Sequence, residues 1–238
     1  MQPARQDDAD LPALYRRRFG DEERKRKDAL WKVLCANFLQ RYVKPTDTVI
    51  DLGAGYGEFI NNIRAAKKIA VDLNEDTAHA LNHDVTFVLG AGARVPNAQD
   101  GSADVVFASN FFEHMLSKAE LMETLREIAR VLRIGGRLLV LQPNIRFAYR
   151  EYWDYFDHHV ALSDRSLSEA VEMSGFRVTD LRPRFLPYTT KSKLPQHPAL
   201  LRLYLRLPPL QRLFGKQMFL AAERTAEAPG TARSLRSE

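Results

Sequence analysis

The spacing of apolar and polar positions changes near residue 45. Before it, Leu30, Leu34, Phe38 and Val43 recur near helical spacing, and residues 11–43 read as helical. After it, short apolar runs alternate with helix-patterned stretches. The runs predict strands at 48–52, 68–73, 86–89, 103–109 and 137–142, with helices at 58–66, 76–82 and 118–132 between them. Gly135-Gly136 sits where the last of these helices gives way to a strand. A further helix fits 164–174, stopped at Gly175, and strands fit 176–182 and 217–222. Strands alternating with helices predict an α/β domain with a mostly parallel sheet and helices on both faces.

Two of the apolar runs end in an acid. The stretch VIDLGAGYGEF, Val49 to Phe59, carries Asp51 and a loop with glycine at Gly53, Gly55 and Gly57; KIAVDLN, Lys68 to Asn74, ends its run at Asp72, 21 residues after Asp51. Such a pair predicts a nucleotide-type crevice at the carboxyl end of a parallel sheet, with the second acid placed for ribose hydroxyls. A dinucleotide fingerprint counted from Gly53 puts Glu58 where its third small residue belongs. A glutamate there would repel a pyrophosphate, which demotes a dehydrogenase.

The D-x-G-x-G-x-G spacing resembles motif I of the class I S-adenosylmethionine-dependent methyltransferases, and the resemblance covers about residues 45–222. It implies a Rossmann-like, seven-stranded sheet whose last strand is antiparallel, and S-adenosylmethionine as cofactor. By the same resemblance Asp51, Gly53, Ala54 and Gly55 line the methionine part. Asp72 takes the ribose hydroxyls, Leu73 packs on the adenine, and Asn110 and Phe111 lie beside the transferable methyl. The acid often found after the third strand is absent; Ala91 holds its place. SNFFEHM (Ser109–Met115) and WDYFDHHVALSDRSL (Trp153–Leu167) are similar to uncharacterised bacterial methyltransferases linked to sugar or cell-surface glycan modification.

The chain has 238 residues, enough for one α/β domain. The organisation expected is a helical cap over 1–44, the methyltransferase domain over 45–222 with a basic helical insertion at about 183–216, and a disordered tail over 223–238. Cys35 is the only cysteine, so intrachain disulfides and thiolate-built zinc sites are excluded. The first ten residues lack the apolar core of a secretory signal, and no run of eighteen apolar residues exists. A cytoplasmic protein is expected, with the inner face of the membrane as a further candidate location.

Net charge is +5, and its distribution carries more than its size. Residues 16–27 hold seven bases against three acids, and 181–222 contain no Asp or Glu while carrying Arg182, Arg184, Lys191, Lys193, Arg202, Arg206, Arg212 and Lys216. An anionic partner is one reading; a solvated basic face is the other. Leu200, Leu203, Tyr204 and Leu207 recur at helical spacing in the insertion, and Pro208-Pro209 must break that helix. The 197–216 stretch is a candidate for peripheral membrane contact, for a cap packed on the domain, or for a homodimer contact.

If the acceptor is a hydroxyl, a base must take its proton, and histidine suits that near neutral pH. The candidates rank His159, then His158, then His114, because the segment after the fifth strand overhangs the crevice in the resembled family. Asp154 and Asp157 precede the histidine pair, but the spacing matches no metal motif and no metal is expected. Tyr152, Trp153, Tyr155 and Phe156 form either a stacking wall or a lid's own core. Arg146, Arg150 and Arg165 are candidates for gripping a phosphate or carboxylate. The function expected is methyl transfer to an oxygen of a small-molecule or glycan-type acceptor, including a lipid-linked one. A nucleic-acid methyltransferase is favoured only by charge and lacks the usual motifs. A non-catalytic S-adenosylmethionine-binding protein is the alternative from another class.

Overall fold

A computed structural model describes residues 21–91, 94–188 and 197–226. The expectations for 1–20, 189–196 and 227–238, with Lys191 and Lys193, lie outside the described residues. Helix α1 (Asp21–Asn37) is followed by a 3-10 turn at Leu39–Tyr42. The sheet then begins with β1 (Thr48–Leu52), β2 (Lys67–Asp72), β3 (Val85–Leu89) and β4 (Ala103–Ser109). Helix α2 (Lys118–Val131), β5 (Leu132–Pro143), the single turn α3 (Ile145–Ala148), α4 (Asp164–Met173) and β6 (Phe176–Leu186) come next. Helices α5 (Pro198–Arg206) and α6 (Pro208–Phe214) lead into β7 (Gln217–Arg224).

The seven strands lie in the order β3-β2-β1-β4-β5-β7-β6. All neighbours are parallel except β7, which runs against both β5 and β6. This is the mostly parallel sheet that the alternation predicts, with the antiparallel last strand that the resemblance implies. The switch in strand order between β1 and β4 opens a crevice at their carboxyl ends.

Successive residues of each central strand feed opposite cores, as the period-2 geometry of a strand requires. Ile50, Leu52, Val106, Ala108, Leu138 and Val140 face a core closed by Leu121, Leu125 and Ile128 of α2 and Leu167 and Val171 of α4. Val49, Val105, Phe107, Leu139 and Leu141 face the other, closed by Leu34 and Cys35 of α1 and by Phe38 just after it. Phe38 packs on Phe185 of β6 and Phe219 of β7, with ring centroids 4.3 and 4.8 Å apart. Such pairs add about 0.5–1.5 kcal/mol each beyond burial and fasten α1 to the antiparallel edge.

Two predicted helices are not regular α-helices. Residues 58–62 form successive turns and 63–66 are irregular, and 76–82 gives a 3-10 turn at Glu75–Ala80. The reason lies in Asn61 and Asn62. The Asn61 side chain donates to the Ala80 carbonyl and accepts from the Asn82 N–H, and that of Asn62 donates to Asp28 of α1 and to the Glu58 carbonyl. Asparagine side chains that bond backbone this way compete with the helical ladder.

Candidate active site at the carboxyl edge of the sheet

The loop after β1 turns on glycines with positive φ. At Gly53 φ is 67°, and a Cβ there would lie 2.5 Å from Cδ2 of Phe111. At Gly57 φ is 75°, and a Cβ would lie 2.8 Å from both Leu81 Cδ2 and Asn61 Nδ2. Only glycine satisfies both the backbone and the space. Asp72 ties the loop to β2: its carboxylate accepts the Gly55 N–H and the Asn74 N–H, each at 2.8 Å. Leu73, the next residue, is 43% exposed, an apolar side chain left open at a strand end.

Asp51 is buried with Ala54 beneath this loop. Burial, then the charges of Glu58 and Asp72, push the Asp51 carboxyl well above the usual carboxylate range, against the Ile60 N–H that favours its charge. Burial also raises Asp72, against the N–H donors that lower it. Three acids thus converge on one loop. Lys27 of α1 pairs with one of them, its Nζ lying 2.6 Å from Glu58. A pocket with this surplus of negative charge suits a ligand carrying ammonium and sulfonium, and opposes a pyrophosphate.

Past β4, Asn110 takes a left-handed backbone (φ 47°) and accepts from Gln217 of β7 at 2.9 Å. Phe111 lies over Gly53. The next turn, Phe112–His114, and the segment after β5 are tied together by backbone. The Glu113 carbonyl accepts the N–H of His159 (2.8 Å) and of Val160 (3.2 Å).

The three candidate histidines separate. His158 is buried, with Tyr152 and Tyr155 centroids at 4.6 and 5.0 Å and its Nδ1 at 2.8 Å from the Tyr152 carbonyl. His114 lies 5.2 Å from His158, ring to ring, with Nδ1 at 2.9 Å from the Asp157 carbonyl. The His159 ring is exposed. Glu113 completes the group. The residue is 2% exposed, its Oε2 has no hydrogen-bond partner among the described residues, and burial pushes its pKa up to about 7. Tyr188, just past β6, stacks edge-on to Tyr155 at 6.0 Å.

The remaining candidates are more dispersed. Trp153 and Phe156 are exposed while Tyr152 is core, its hydroxyl donating to the Val160 carbonyl. Arg146 is held by Asp164 at 2.9 Å. With Arg182, Arg184 and Arg212 it lines a cleft of ≈430 Å³ between β6 and α6, apart from the glycine loop. Cys35 is buried against the Phe59 carbonyl and its thiol is pushed up by burial, so no reactive thiolate arises there.

Residues 50–140 match the methyltransferase domain family. The fold is that of the class I methyltransferases. A chain from the complex between the Haloferax volcanii Trm112 methyltransferase activator and a methyltransferase superposes with a TM-score of 0.68 at 18% identity, over 92% of this chain and 97% of that one. An S-adenosylmethionine-dependent methyltransferase from Archaeoglobus fulgidus gives 0.61 at 21% identity, over 83% and 94%. In sequence, the sarcosine/dimethylglycine N-methyltransferase of Halorhodospira halochloris is 30% identical over 117 residues, 44% of this chain and 40% of that protein. The chain spans about half the length of the curated relatives it matches. These similarities imply S-adenosylmethionine as the cofactor.

In this methyltransferase fold the matched segment ends within β5, so the segment carrying His158 and His159 lies beyond it. Sequence reasoning missed Glu113 and Lys27. Glu113 stands beside His114 in FFEHM, and only its burial marks it out. Lys27 sits in a run of charges that gives no sign which one reaches the crevice.

Proposed function

We propose that this chain transfers a methyl group from S-adenosylmethionine to an oxygen of a small-molecule or glycan-type acceptor. The observation that carries the reading is the buried Asp51 carboxyl under the glycine loop, crowded by Glu58 and Asp72, with Lys27 paired to Glu58 and not to Asp51. The cofactor supplies an electrophilic methyl on a sulfonium. Asp51 holds its ammonium, Asp72 its ribose hydroxyls, and Leu73 packs on its adenine, while Phe111 and Asn110 shape the methyl end. Asp72 spends lone pairs on Gly55 and Asn74, which fixes its orientation before a ribose arrives.

Oxygen as acceptor atom rests on the histidine-bearing segment beside β4 and β5. His159 faces solvent from a backbone pinned to Glu113, a position from which its ring can take a proton from an incoming hydroxyl. Leu203, Leu213 and Phe214 are exposed on α5 and α6 among Arg202, Arg206 and Arg212, which supports peripheral contact with an anionic membrane. Among the described residues no helix is long and apolar enough to cross one.

The test is incubation with radiolabelled methyl donor and fractionated cell extract: lipid-linked glycans, free sugars, proteins and RNA. Label in an alkali-stable ether of a glycan or small alcohol is expected. Label confined to amines, to carbon or to RNA would overturn the acceptor assignment. Failure to bind the donor by calorimetry would overturn the reading as a whole.

A further inference from the structure

The group formed by Glu113, His114 and His158 does more than proton transfer requires. One ligand atom from each of the three lies within 4.8 Å of the others. Both imidazoles point Nδ1 at a backbone carbonyl, His114 at Asp157 and His158 at Tyr152, and the Asp157 carboxylate also lies 3.4 Å from His114 Nδ1. A carbonyl can only accept, so each neutral ring carries its proton on Nδ1 and its lone pair on Nε2. That is the orientation backbone carbonyls impose on metal-binding histidines. The third member is Glu113, 2% exposed, whose Oε2 has no hydrogen-bond partner among the described residues. A buried carboxylate oxygen left bare is costly unless a counter-charge meets it. No Lys or Arg is paired with Glu113 among the described residues, and His114 is the neighbour that favours its charged form. Tyr152 and Tyr155 wall the group in, at 4.6 and 5.0 Å from the His158 ring.

We infer that Glu113, His114 and His158 form a binding site for a divalent transition cation of the zinc class, with one coordination position left for an acceptor oxygen. Two imidazoles and a carboxylate are borderline ligands that favour zinc-class ions over magnesium, which prefers oxygen alone. Three protein ligands leave a tetrahedral ion one open position. Bonds of roughly 2.0–2.2 Å set ligand atoms roughly 3.4 Å apart, so closing the group takes about an ångström of side-chain movement. Glu113 follows Phe111 by two residues in the chain, and Phe111 lies on the glycine loop. An oxygen on such an ion ionises more readily. The inference deepens the proposed oxygen methylation and revises the sequence expectation of no metal.

The probe is Zn²⁺ added to tag-free, chelator-treated full chain, followed by calorimetry and by elemental analysis after dialysis; Co²⁺ is the spectroscopic substitute. One Zn²⁺ per chain is expected, with a tetrahedral Co²⁺ absorption band and no response to Mg²⁺. Glu113→Gln and His158→Asn should weaken Zn²⁺ binding at least about 100-fold, and His159→Ala should leave it unchanged. His114→Asn, at a half-buried position, serves where the buried variants fail to fold. Absence of stoichiometric Zn²⁺, or equal affinity in a folded Glu113 or His114 variant, would overturn the site, as would loss of binding in His159→Ala. S-adenosylmethionine affinity measured in parallel separates the two readings. Donor binding without Zn²⁺ removes this inference alone; Zn²⁺ binding without donor binding removes the methyltransferase reading and leaves the site.

Discussion

The ring of Phe111 occupies the space a side chain at Gly53 would need: a Cβ there would stand 2.5 Å from its Cδ2. The contact joins the loops after β1 and β4, the two halves of the crevice. Gly53→Ala should lose about 1–2 kcal/mol through its left-handed backbone alone, and more through the clash. Adding Phe111→Ala should recover only the clash. Thermal melts of the single and double variants check this; full recovery in the double variant would deny the backbone its share.

Asp72→Ala should weaken S-adenosylmethionine binding by about 1–3 kcal/mol, since charge-assisted bonds to a ribose are lost. The variant also frees the Gly55 and Asn74 N–H groups, so the loop should exchange its amide protons faster. Calorimetry with the methyl donor reads the first effect and hydrogen exchange the second. Unchanged affinity would remove the ribose assignment.

Asp51 makes a prediction about pH. Its folded pKa is raised above the ordinary 3.8, by burial first and then by Glu58 and Asp72. Between the unfolded and folded values the native state holds the extra proton, so this group's contribution to stability is full below the unfolded pKa and is lost as pH rises through the folded one. Cofactor binding runs the other way: an ammonium needs the charged carboxylate, so affinity should fall as pH drops through the folded pKa. Asp51→Asn should flatten both curves. A wild-type affinity independent of pH would count against Asp51 as the ammonium's partner.

Lys27 and Glu58 form a partly buried pair at 2.6 Å. Lys27→Ala should cost roughly 1 kcal/mol in the protein without cofactor, since three acids are left facing one another. A cationic cofactor restores part of the lost charge, so the rise in Tm on adding S-adenosylmethionine should be larger in the variant than in the wild type. A smaller rise would mean that Lys27 itself contributes to cofactor binding.

His159→Ala should lower turnover by roughly 10²-fold while cofactor affinity stays level. Single-turnover rates beside calorimetry separate the two. Unaltered turnover would return the proton-accepting role to His158 or His114, and would be consistent with a rate set by the ion rather than by a base.

Strand period and acid-ended runs made the sheet legible without coordinates: β1 and β4 fall at their expected bounds, and β6 and β7 begin where the pattern starts. A strand's two-residue alternation and its apolar content are local properties, written directly in the chain. The turns at 58–62 were not legible, because Asn61 and Asn62 spend their side chains on partners at Ala80, Asn82 and Asp28.

The sequence alone determined the strand order's raw material, the glycine loop and the two acids that flank it, since each follows from neighbours within a few residues. Tertiary structure decided which of several charges and histidines meet. Lys27 reaches Glu58 across 31 positions, and Glu113 and His158 share a buried pocket across 45. Burial and the pairing of distant groups depend on how β4 and β5 lie side by side, and no local pattern encodes that distance.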